Sequence, residues 1–281
     1  MFYNIVKKKL KSLFLLNLSD IFAPSNQISN IEVNKESAKI NHSLNVNVSV
    51  DCVVIGFDDK ELNVLLIKRL QAGDEKAYSP YKLPGSPIYM DESLDDAAKR
   101  VLVDCTGLKY VSLEQFRAYG EIDRLRRAED VQWLERTHGL ASTPERIVSI
   151  SYIAFVRQKK FRQLTETYQA TWMPVSKLDD IDLAFDHRQI ITDAIRKIRR
   201  DVEVQPSIVF EILPRKFTML QLRAVYETIH GEKLDIRNFH KKMTNLKYIV
   251  QLDELEKDVP HRAAHLYKFD RVVYKRLRGS I

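Results

Sequence analysis

The chain has 281 residues, of which 44% are hydrophobic and 30% are charged, and its formal net charge is +7. This length and composition exclude a disordered or fibrous chain and favour two folded domains over one. Only two cysteines occur, Cys52 and Cys105, which excludes a disulfide framework and a Cys-rich metal knuckle. Both are predicted to be buried thiols in a reducing, cytoplasmic compartment.

The N-terminal residues 1–45 are predicted to form a poorly ordered extension. A basic and then apolar stretch within residues 7–18 superficially resembles a signal peptide. Its apolar run is short, Asp20 lies just beyond it, and no small-residue cleavage site is evident. No run reaches the roughly 18 apolar residues that span a bilayer. We therefore expect a cytoplasmic protein with no membrane partner.

Residues 46–203 contain the strand and helix signals of a first domain. Two β-rich runs at 48–57 and 62–69 form a hairpin-like pair, and a short strand at 81–85 enters a turn. A helix comes next, with Ser93 or Asp91 as its cap and Gly107 at its end. Further strands are predicted at 115–122, 147–156 and 170–175, with a charged helical stretch at 125–135 and a helix from Asp186 to about Asp201. Strands with two packing helices indicate an α/β sandwich with a mixed sheet.

Residues 204–281 form a second predicted domain, and a predicted linker at 202–207 lies at the boundary. The order of elements differs from that of the first domain. A helix starts at Thr218, a turn contains Gly231, a second helix starts at Asp235, and two strands lie near 248–252 and 265–269. This order is typical of an α+β winged helix-turn-helix domain. The residues predicted to form the core faces of its two helices are Leu222, Val225, Tyr226, Ile229, Ile236, Phe239, Met243 and Leu246.

Positive charge is concentrated in this C-terminal part. Residues 206–281 hold 15 lysines and arginines against 9 aspartates and glutamates, a net charge of +6, whereas the other 205 residues hold 30 against 29. On the second helix, the face opposite the predicted core is basic and polar. Arg and Asn can read base edges and Lys can neutralise phosphates, so double-stranded DNA is the expected partner. The predicted DNA-binding residues are Thr218, Arg237, Asn238, His240, Lys241, Lys242 and Asn245, with His261 and Arg262 in the wing.

Residues 83–108 resemble the Nudix box, G-x5-E-x7-R-E-U-x-E-E-x-G-U, where U is aliphatic. Aligned on Gly107, the first glycine becomes Ser86, while Glu92 and Arg100 are retained. The three acids that hold the catalytic metal in that family fall on Val101, Asp104 and Cys105. Nudix hydrolysis needs several carboxylates on one helix to hold Mg²⁺, and neither a valine nor a thiol replaces them. We therefore expect no catalytic residues, no metal and no cofactor, with Glu92 and Arg100 tying the loop to the helix.

The joined domains are similar to the Nudix-related transcriptional regulators over about residues 46–275. The resemblance rests on the degenerate box and on segments 183–187, 213–218, 237–243 and 265–270. It implies a homodimeric repressor whose Nudix-like domain senses a small molecule. One branch of the family responds to ADP-ribose and regulates NAD synthesis, and another responds to L-arabinose.

The expected effector is a sugar such as L-arabinose, because Asp51, Glu121 and Asp123 gather near the predicted pocket mouth and disfavour a pyrophosphate. ADP-ribose is the alternative, with Lys68, Arg69, Arg124 and Arg146 as candidate cations. The predicted ligand-binding residues are Asp51, Lys68, Arg69, Tyr119, Glu121, Asp123, Arg146 and Trp172. Residues 125–144 depart from the family pattern and are interpreted as a lid or as part of the dimer interface.

Two other functions use the same residues. An active Nudix hydrolase with an accessory domain would release phosphate-containing products with Mg²⁺, and Asp104 would be needed for it. An RNA-binding module would use the same basic face, but the sequence lacks the exposed paired aromatic residues that single-strand readers favour.

Overall fold

A seven-stranded mixed β-sheet forms the larger part of the chain. The computed structural model describes residues 43–69, 81–139, 144–158, 170–257, 259–260 and 262–279. The strands are β1 (Leu44–Phe57), β2 (Leu62–Lys68), β3 (Tyr81–Lys82), β4 (Gly85–Tyr89), β5 (Leu113–Tyr119), β6 (Val148–Phe155) and β7 (Ala170–Pro174). Each strand predicted from the sequence is present within a few residues, and β4 is an addition. Leu44 and Asn45, which were assigned to the N-terminal extension, already lie in β1, and the rest of that extension up to residue 42 lies outside the described residues.

Strand β1 lies at the centre of this sheet. It pairs with β6 in parallel, from Val48 opposite Val148 to Ile55 opposite Phe155. It pairs antiparallel with β2 and with β4, while β5 adds to β6 and β7 adds to β2. A strand with neighbours on both edges and helices on both faces is expected to be mostly apolar, and residues 50–57 are all buried. Asp51 is the only charged residue in that run.

Helices cover both faces of the sheet. Helix α1 (Leu94–Thr106) packs Ala97, Val101 and Cys105 against one face, and α3 (His187–Val204) packs Ile190 and Ile198 against the other. A third helix, α2 (Ala128–His138), occupies the predicted insertion and lies three residues later than expected. The arrangement is the predicted Nudix-like α/β/α sandwich.

Local caps fix the ends of these helices. The backbone N–H of Asp96 donates to Ser93 Oγ at 3.2 Å, so Ser93 and not Asp91 caps α1. Gly107 ends that helix with φ of 73°, a conformation that a residue with a Cβ rarely adopts.

The C-terminal part forms the predicted winged helix. Its elements are α4 (Val209–Ile212), β8 (Lys216–Thr218), α5 (Met219–His230), α6 (Ile236–Thr244), β9 (Ile249–Leu255), β10 (His265–Phe269) and α7 (Arg271–Arg278). The three strands form a separate sheet in the order β8-β10-β9. The short elements α4 and β8 and the last helix α7 were not predicted.

Residues 202–207, predicted to be a linker, are helical instead. Helix α3 continues to Val204, a 3-10 turn occupies Pro206–Ile208, and Val202 is only 1% exposed. Val202 joins one hydrophobic core with Leu222 and Val225 of α5. The prediction of a linker was therefore wrong, because polar residues on the exposed side of the last helical turn resemble a linker. None of the helices in the described ranges is long and apolar enough to cross a membrane.

Candidate effector pocket and DNA-binding surface

The remains of the Nudix box form a structural clamp. Arg100 Nε donates to Glu92 Oε2 at 2.9 Å, and Glu92 Oε1 accepts from the backbone N–H of Tyr89 at 2.7 Å. Arg100 also donates to Pro87 O at 3.2 Å and lies over the Tyr89 ring. This network ties β4 to α1, as predicted for Glu92 and Arg100.

The three positions that hold Mg²⁺ in Nudix enzymes do not form a metal site. Val101 and Cys105 are 1% and 4% exposed and pack against the sheet. Asp104 points outward, and its nearest cation is Arg100 at 3.8 Å. Within the described ranges, no group of three or more His, Cys, Asp or Glu residues could hold a metal ion. The residues present therefore do not fit the metal of a Nudix hydrolase.

A buried carboxylate organises the pocket on the other face of the sheet. Asp51 Oδ2 accepts from Arg124 Nη2 at 3.1 Å and from the hydroxyl of Ser149. Its other oxygen lies 3.4 Å from His187 Nε2. Leu83 N–H donates to His187 Nδ1 at 2.9 Å, which leaves the Nε2 hydrogen facing Asp51. Arg124 in turn donates Nε to both oxygens of Asp186 at 2.9 Å.

Burial and charge act in opposite directions on this cluster. Burial would raise the pKa of Asp51, but His187, Arg124 and Lys82 hold that pKa far below its usual range. Lys82 is only 4% exposed, and burial lowers the pKa of its ammonium group. Its Nζ donates to Gly85 O at 2.7 Å and to Leu83 O at 3.1 Å. The carboxylate is thus kept ionised inside the fold by fixed donors.

Helix α2 covers the pocket that contains this cluster. The Arg69 and Asp130 side chains, both nearly inaccessible, pair at 2.7 Å, and Asp130 also accepts from the backbone N–H of Phe185 at 2.9 Å. Arg127 links the start of α2 to Asp182 at 2.8 Å. The insertion is therefore anchored to the sheet end and to the segment before α3.

Aromatic rings form one wall of the pocket. The Trp133 ring lies 6.3 Å from the Phe185 ring, and the cationic groups of Arg69 and Lys82 both lie 5.4 Å from the Trp133 ring centroid. Leu134, Ile147 and His138 also line the pocket. A carboxylate, hydrogen-bond donors and an aromatic wall are the groups that bind a sugar ring.

An open, charged groove adjoins the pocket. The two share Arg124 and Phe185 in their linings. The groove contains the exposed side chains of Arg126 and Arg196, which pair with Asp123 at 3.1 Å and with Asp193 at 3.3 Å. The Arg126–Asp123 pair is exposed on both sides, and such pairs are worth about 0–1 kcal/mol, so Arg126 can turn towards another anion.

The structure brings together only some of the predicted ligand-binding residues. Asp51 lines the pocket, Arg69 supports its aromatic wall, and Glu121 and Asp123 line the groove. Tyr119 donates to Asp193 at 3.1 Å, beside that groove. Arg146 is exposed and donates to Gly120 O at 2.6 Å.

Two predicted ligand residues lie elsewhere. Lys68 is exposed at the end of β2 and lines neither cavity. Trp172 lies opposite Leu65 on the face covered by α1 and packs beside Gly56. Its aromatic ring belongs to the core under α1.

Several pocket residues were not predicted as ligand contacts. They are Lys82, Trp133, His138, Phe185 and His187. Lys82 sits in a strand of two residues and Trp133 in the insertion, so neither periodicity nor a local motif points to the pocket. The segment that contains Phe185 and His187 contributed only to the family resemblance.

The predicted DNA-facing residues of α6 are exposed together. Phe239 and Met243 face the core, while the opposite side carries Arg237, Asn238, His240, Lys241, Lys242 and Asn245. His240 also approaches Tyr267 Oη at 3.5 Å. The helix therefore presents a basic, hydrogen-bonding surface to solvent.

Three other predictions on this domain have different outcomes. Thr218 is 2% exposed and accepts from Gln221 N at 3.1 Å, so its hydroxyl caps α5. Arg262 is exposed beyond β9, and His261 lies outside the described residues. Ile236 was predicted to be core but is 64% exposed at the start of α6, because nothing in the described ranges packs over that helix end.

Residues 209–269 match the family described as the NrtR DNA-binding winged helix domain. Over 225 residues the chain is 26% identical to the ADPR responsive transcriptional repressor NtrR of Acinetobacter baylyi, covering 79% of this chain and 81% of that protein.

Two solved structures share the fold over most of their length. Shewanella oneidensis NrtR in complex with a 27mer DNA has a TM-score of 0.60 at 22% identity, covering 81% of this chain and 95% of that one. A MutT/nudix family protein from Enterococcus faecalis has a TM-score of 0.55 at 23% identity, covering 79% and 87%. The fold is thus that of a Nudix domain followed by a winged helix.

Together with the degenerate box, these matches confirm the predicted resemblance to the Nudix-related transcriptional regulators. The C-terminal part is a winged helix of the NrtR type.

Proposed function

We propose that this protein is a DNA-binding transcriptional repressor whose Nudix-like domain binds ADP-ribose and thereby controls operator binding. The observation that carries the proposal is the relative that spans both domains and is itself an ADPR responsive repressor. The expectation of a sugar effector has no such support among the relatives. The alternative, ADP-ribose, therefore becomes the first candidate.

The pocket and the groove together suit an elongated ligand. The pocket offers the Trp133 ring to a ribose, and Arg124 lies where pocket and groove meet. The exposed Arg126 can exchange its surface partner Asp123 for diphosphate oxygens, and the exposed guanidinium of Arg196 lies in the same groove. We assign the diphosphate to the groove, whose volume is about 680 Å³, and the terminal ribose to the pocket, whose volume of about 40 Å³ has to widen to admit it.

A free pentose such as L-arabinose is the second candidate, because the pocket offers the same groups to any pentose ring. The cations of the pocket are Arg124, which is bound by Asp51 and Asp186, and Lys82, which is bound by backbone carbonyls. Neither has a charge to spare for a phosphate inside the pocket. The two candidates differ in whether the groove is used.

We propose domain limits at residues 46–203 and 204–281, a homodimer in the cytoplasm, and ligand binding without hydrolysis. Loss of the metal positions supports the last point. Incubation with ADP-ribose and Mg²⁺ should leave the ligand intact by chromatography, and turnover that depends on Asp104 would restore the hydrolase alternative.

The first experiment is fluorescence anisotropy of the protein on duplex DNA from its own gene neighbourhood, titrated with ADP-ribose or L-arabinose. We expect specific, salt-sensitive binding that ADP-ribose changes and L-arabinose does not. Lys241→Ala should weaken binding and reduce the salt slope by about 1, whereas Lys109→Ala, outside the winged helix, should not. Unchanged affinity of the Lys241 variant would remove α6 from the interface.

The two tryptophans provide a direct test of the pocket. Trp133 lines it, and Trp172 lies on the opposite face of the sheet. Ligand-induced fluorescence change should persist in Trp172→Phe and disappear in Trp133→Phe. The reverse result would place the effector elsewhere.

A further inference from the structure

Ile236 is an exposed apolar residue at the N-terminal end of the basic surface of α6. It is the first residue of α6 and is 64% exposed. The next residues are Arg237 and Asn238, both exposed. Single exposed apolar residues are common on proteins, so exposure alone assigns no role. The position of Ile236 on the helix is what requires an explanation.

Folding of the winged helix does not use this side chain. The buried face of α6 is formed by Phe239 and Met243, and Phe239 packs edge-on against Tyr226 at 5.5 Å between ring centroids. Asp235 caps the helix by accepting from Asn238 N at 2.8 Å. Leu234, before the cap, joins the same core as Phe239, in the arrangement that fixes a helix entry.

An isoleucine also gives no local advantage at this position. β-Branched residues have lower helix propensity than unbranched ones, and the first turn of a helix favours acidic or small polar side chains. Neither helix formation nor core packing accounts for Ile236. We therefore look to a binding partner to explain the apolar side chain of Ile236 at the start of α6.

In a helix-turn-helix, the N-terminal residues of the recognition helix contact base edges in the major groove. The apolar group that this groove displays is the C5 methyl of thymine. Arg237 and Asn238 beside Ile236 can hydrogen-bond to guanine and adenine, and Lys241 and Lys242 can neutralise phosphates.

We propose that Ile236 contacts a thymine methyl group and thereby sets the base preference at one position of the operator half-site. This inference rests on the proposed DNA-binding function and adds a specificity-determining residue to it.

The test uses operators selected by the wild-type protein from a random duplex library. In the selected duplex, each thymidine is replaced in turn by deoxyuridine, which removes only the methyl group. One replacement should weaken wild-type binding about fourfold, the ratio that burial of one methyl group gives. Because both subunits of the proposed homodimer carry the substitution, Ile236→Ala should lose the contact in both half-sites and bind the thymidine duplex about sixteenfold more weakly. It should be insensitive to that same replacement.

The control is Val272→Ala, which removes a branched apolar side chain that is 59% exposed on α7. It should keep the wild-type deoxyuridine profile. Circular dichroism should show Ile236→Ala folded, as its exposure predicts. If wild type and Ile236→Ala have the same deoxyuridine profile, the inference is wrong while the DNA-binding function stands. If the wild type enriches no sequence, both fail.

Discussion

The pocket that contains Asp51 and the exposed surface of α6 both contain several cations, but their surroundings are opposite. In the pocket, Arg124 and Lys82 are buried and their donors are engaged by carboxylates or backbone carbonyls. On α6, Arg237, Lys241 and Lys242 are exposed to solvent. The pocket is thus electrostatically complete before a ligand arrives, whereas the helix surface is completed by an external polyanion.

This difference arises from the cost of burying charge. A buried cation without a partner is strongly destabilising, so each one brings its acid or carbonyls with it. An exposed lysine keeps its water and needs no partner. Substitutions in the pocket should therefore change folding stability, and those on α6 should change DNA affinity alone.

The largest effect on stability is expected for Asp51→Ala. It leaves Arg124 buried with one partner fewer, and breaking a buried pair in this way costs about 3–5 kcal/mol. Urea unfolding monitored by circular dichroism measures the change. Asp104→Ala, at an exposed carboxylate, is the control and should cost less than about 1 kcal/mol. Equal losses in both variants would contradict the contrast between the two regions.

The ionised Asp51 also makes the unfolding free energy depend on pH. Because its pKa in the folded state is depressed, its stabilising contribution is present above the unfolded-state value of about 3.9 and is lost as the pH falls below it. The difference in unfolding free energy between wild type and Asp51→Asn should therefore shrink below about pH 4. A difference that is constant from pH 3 to 7 would mean that Asp51 is not ionised in the fold.

A smaller loss is expected for Gly85→Ala. A Cβ at this position would overlap Asp51 Oδ1 and lie 2.9 Å from Val50 O. The Asp51 side chain cannot move away without losing Arg124 and Ser149, so overpacking should cost about 1–3 kcal/mol in urea unfolding. Gly120→Ala is the control, since it meets only the methyl groups of Val148 and the Arg146 side chain. Similar midpoints for the two variants would show that Asp51 is free to rotate.

The pKa of His138, which lines the pocket, provides a further test of how buried the pocket is. Burial and, secondarily, the charge of Lys82 lower its pKa to about 4. Protonation of His138 then favours the unfolded chain, so its effect is a loss of stability as the pH falls from about 6.5 to about 4. Nuclear magnetic resonance should show the His138 ring titrating near pH 4. A His138 transition near 6.5 would mean that the pocket is open to water.

The two regions also differ in how far the sequence predicts them. The faces of α6 can be predicted from helical spacing, because its buried and exposed residues lie within nine consecutive positions. The pocket joins Asp51 to Arg124, Ser149 and His187, which are 73 to 136 residues away along the chain. The sequence identifies Asp51 as an unusual acid in an apolar strand, but its partners depend on strand pairing and on α3.

Trp172 and Ile236 are two residues whose environment the sequence predicts wrongly, because it depends on contacts between elements that are distant along the chain. Trp172 was assigned to the pocket by residue type, yet alternation along β7 places it on the α1 face. A shift of one residue along a strand reverses the face, and the register was not readable from the sequence. Ile236 matched the helical period but lies beyond the end of the core.

The smallest change in stability is expected for Arg126→Ala. Its pair with Asp123 is exposed on both sides, so the unfolding free energy should change by less than about 1 kcal/mol. If the groove holds a diphosphate, the variant should nevertheless need several-fold more ADP-ribose to alter DNA binding, because one charge-assisted hydrogen bond is removed. Its response to L-arabinose, if the pocket accepts a free pentose, should be unchanged, since Arg126 does not line the pocket. Anisotropy titrations with both ligands separate these cases. An unchanged ADP-ribose response would remove Arg126 from the site and favour a ligand confined to the pocket.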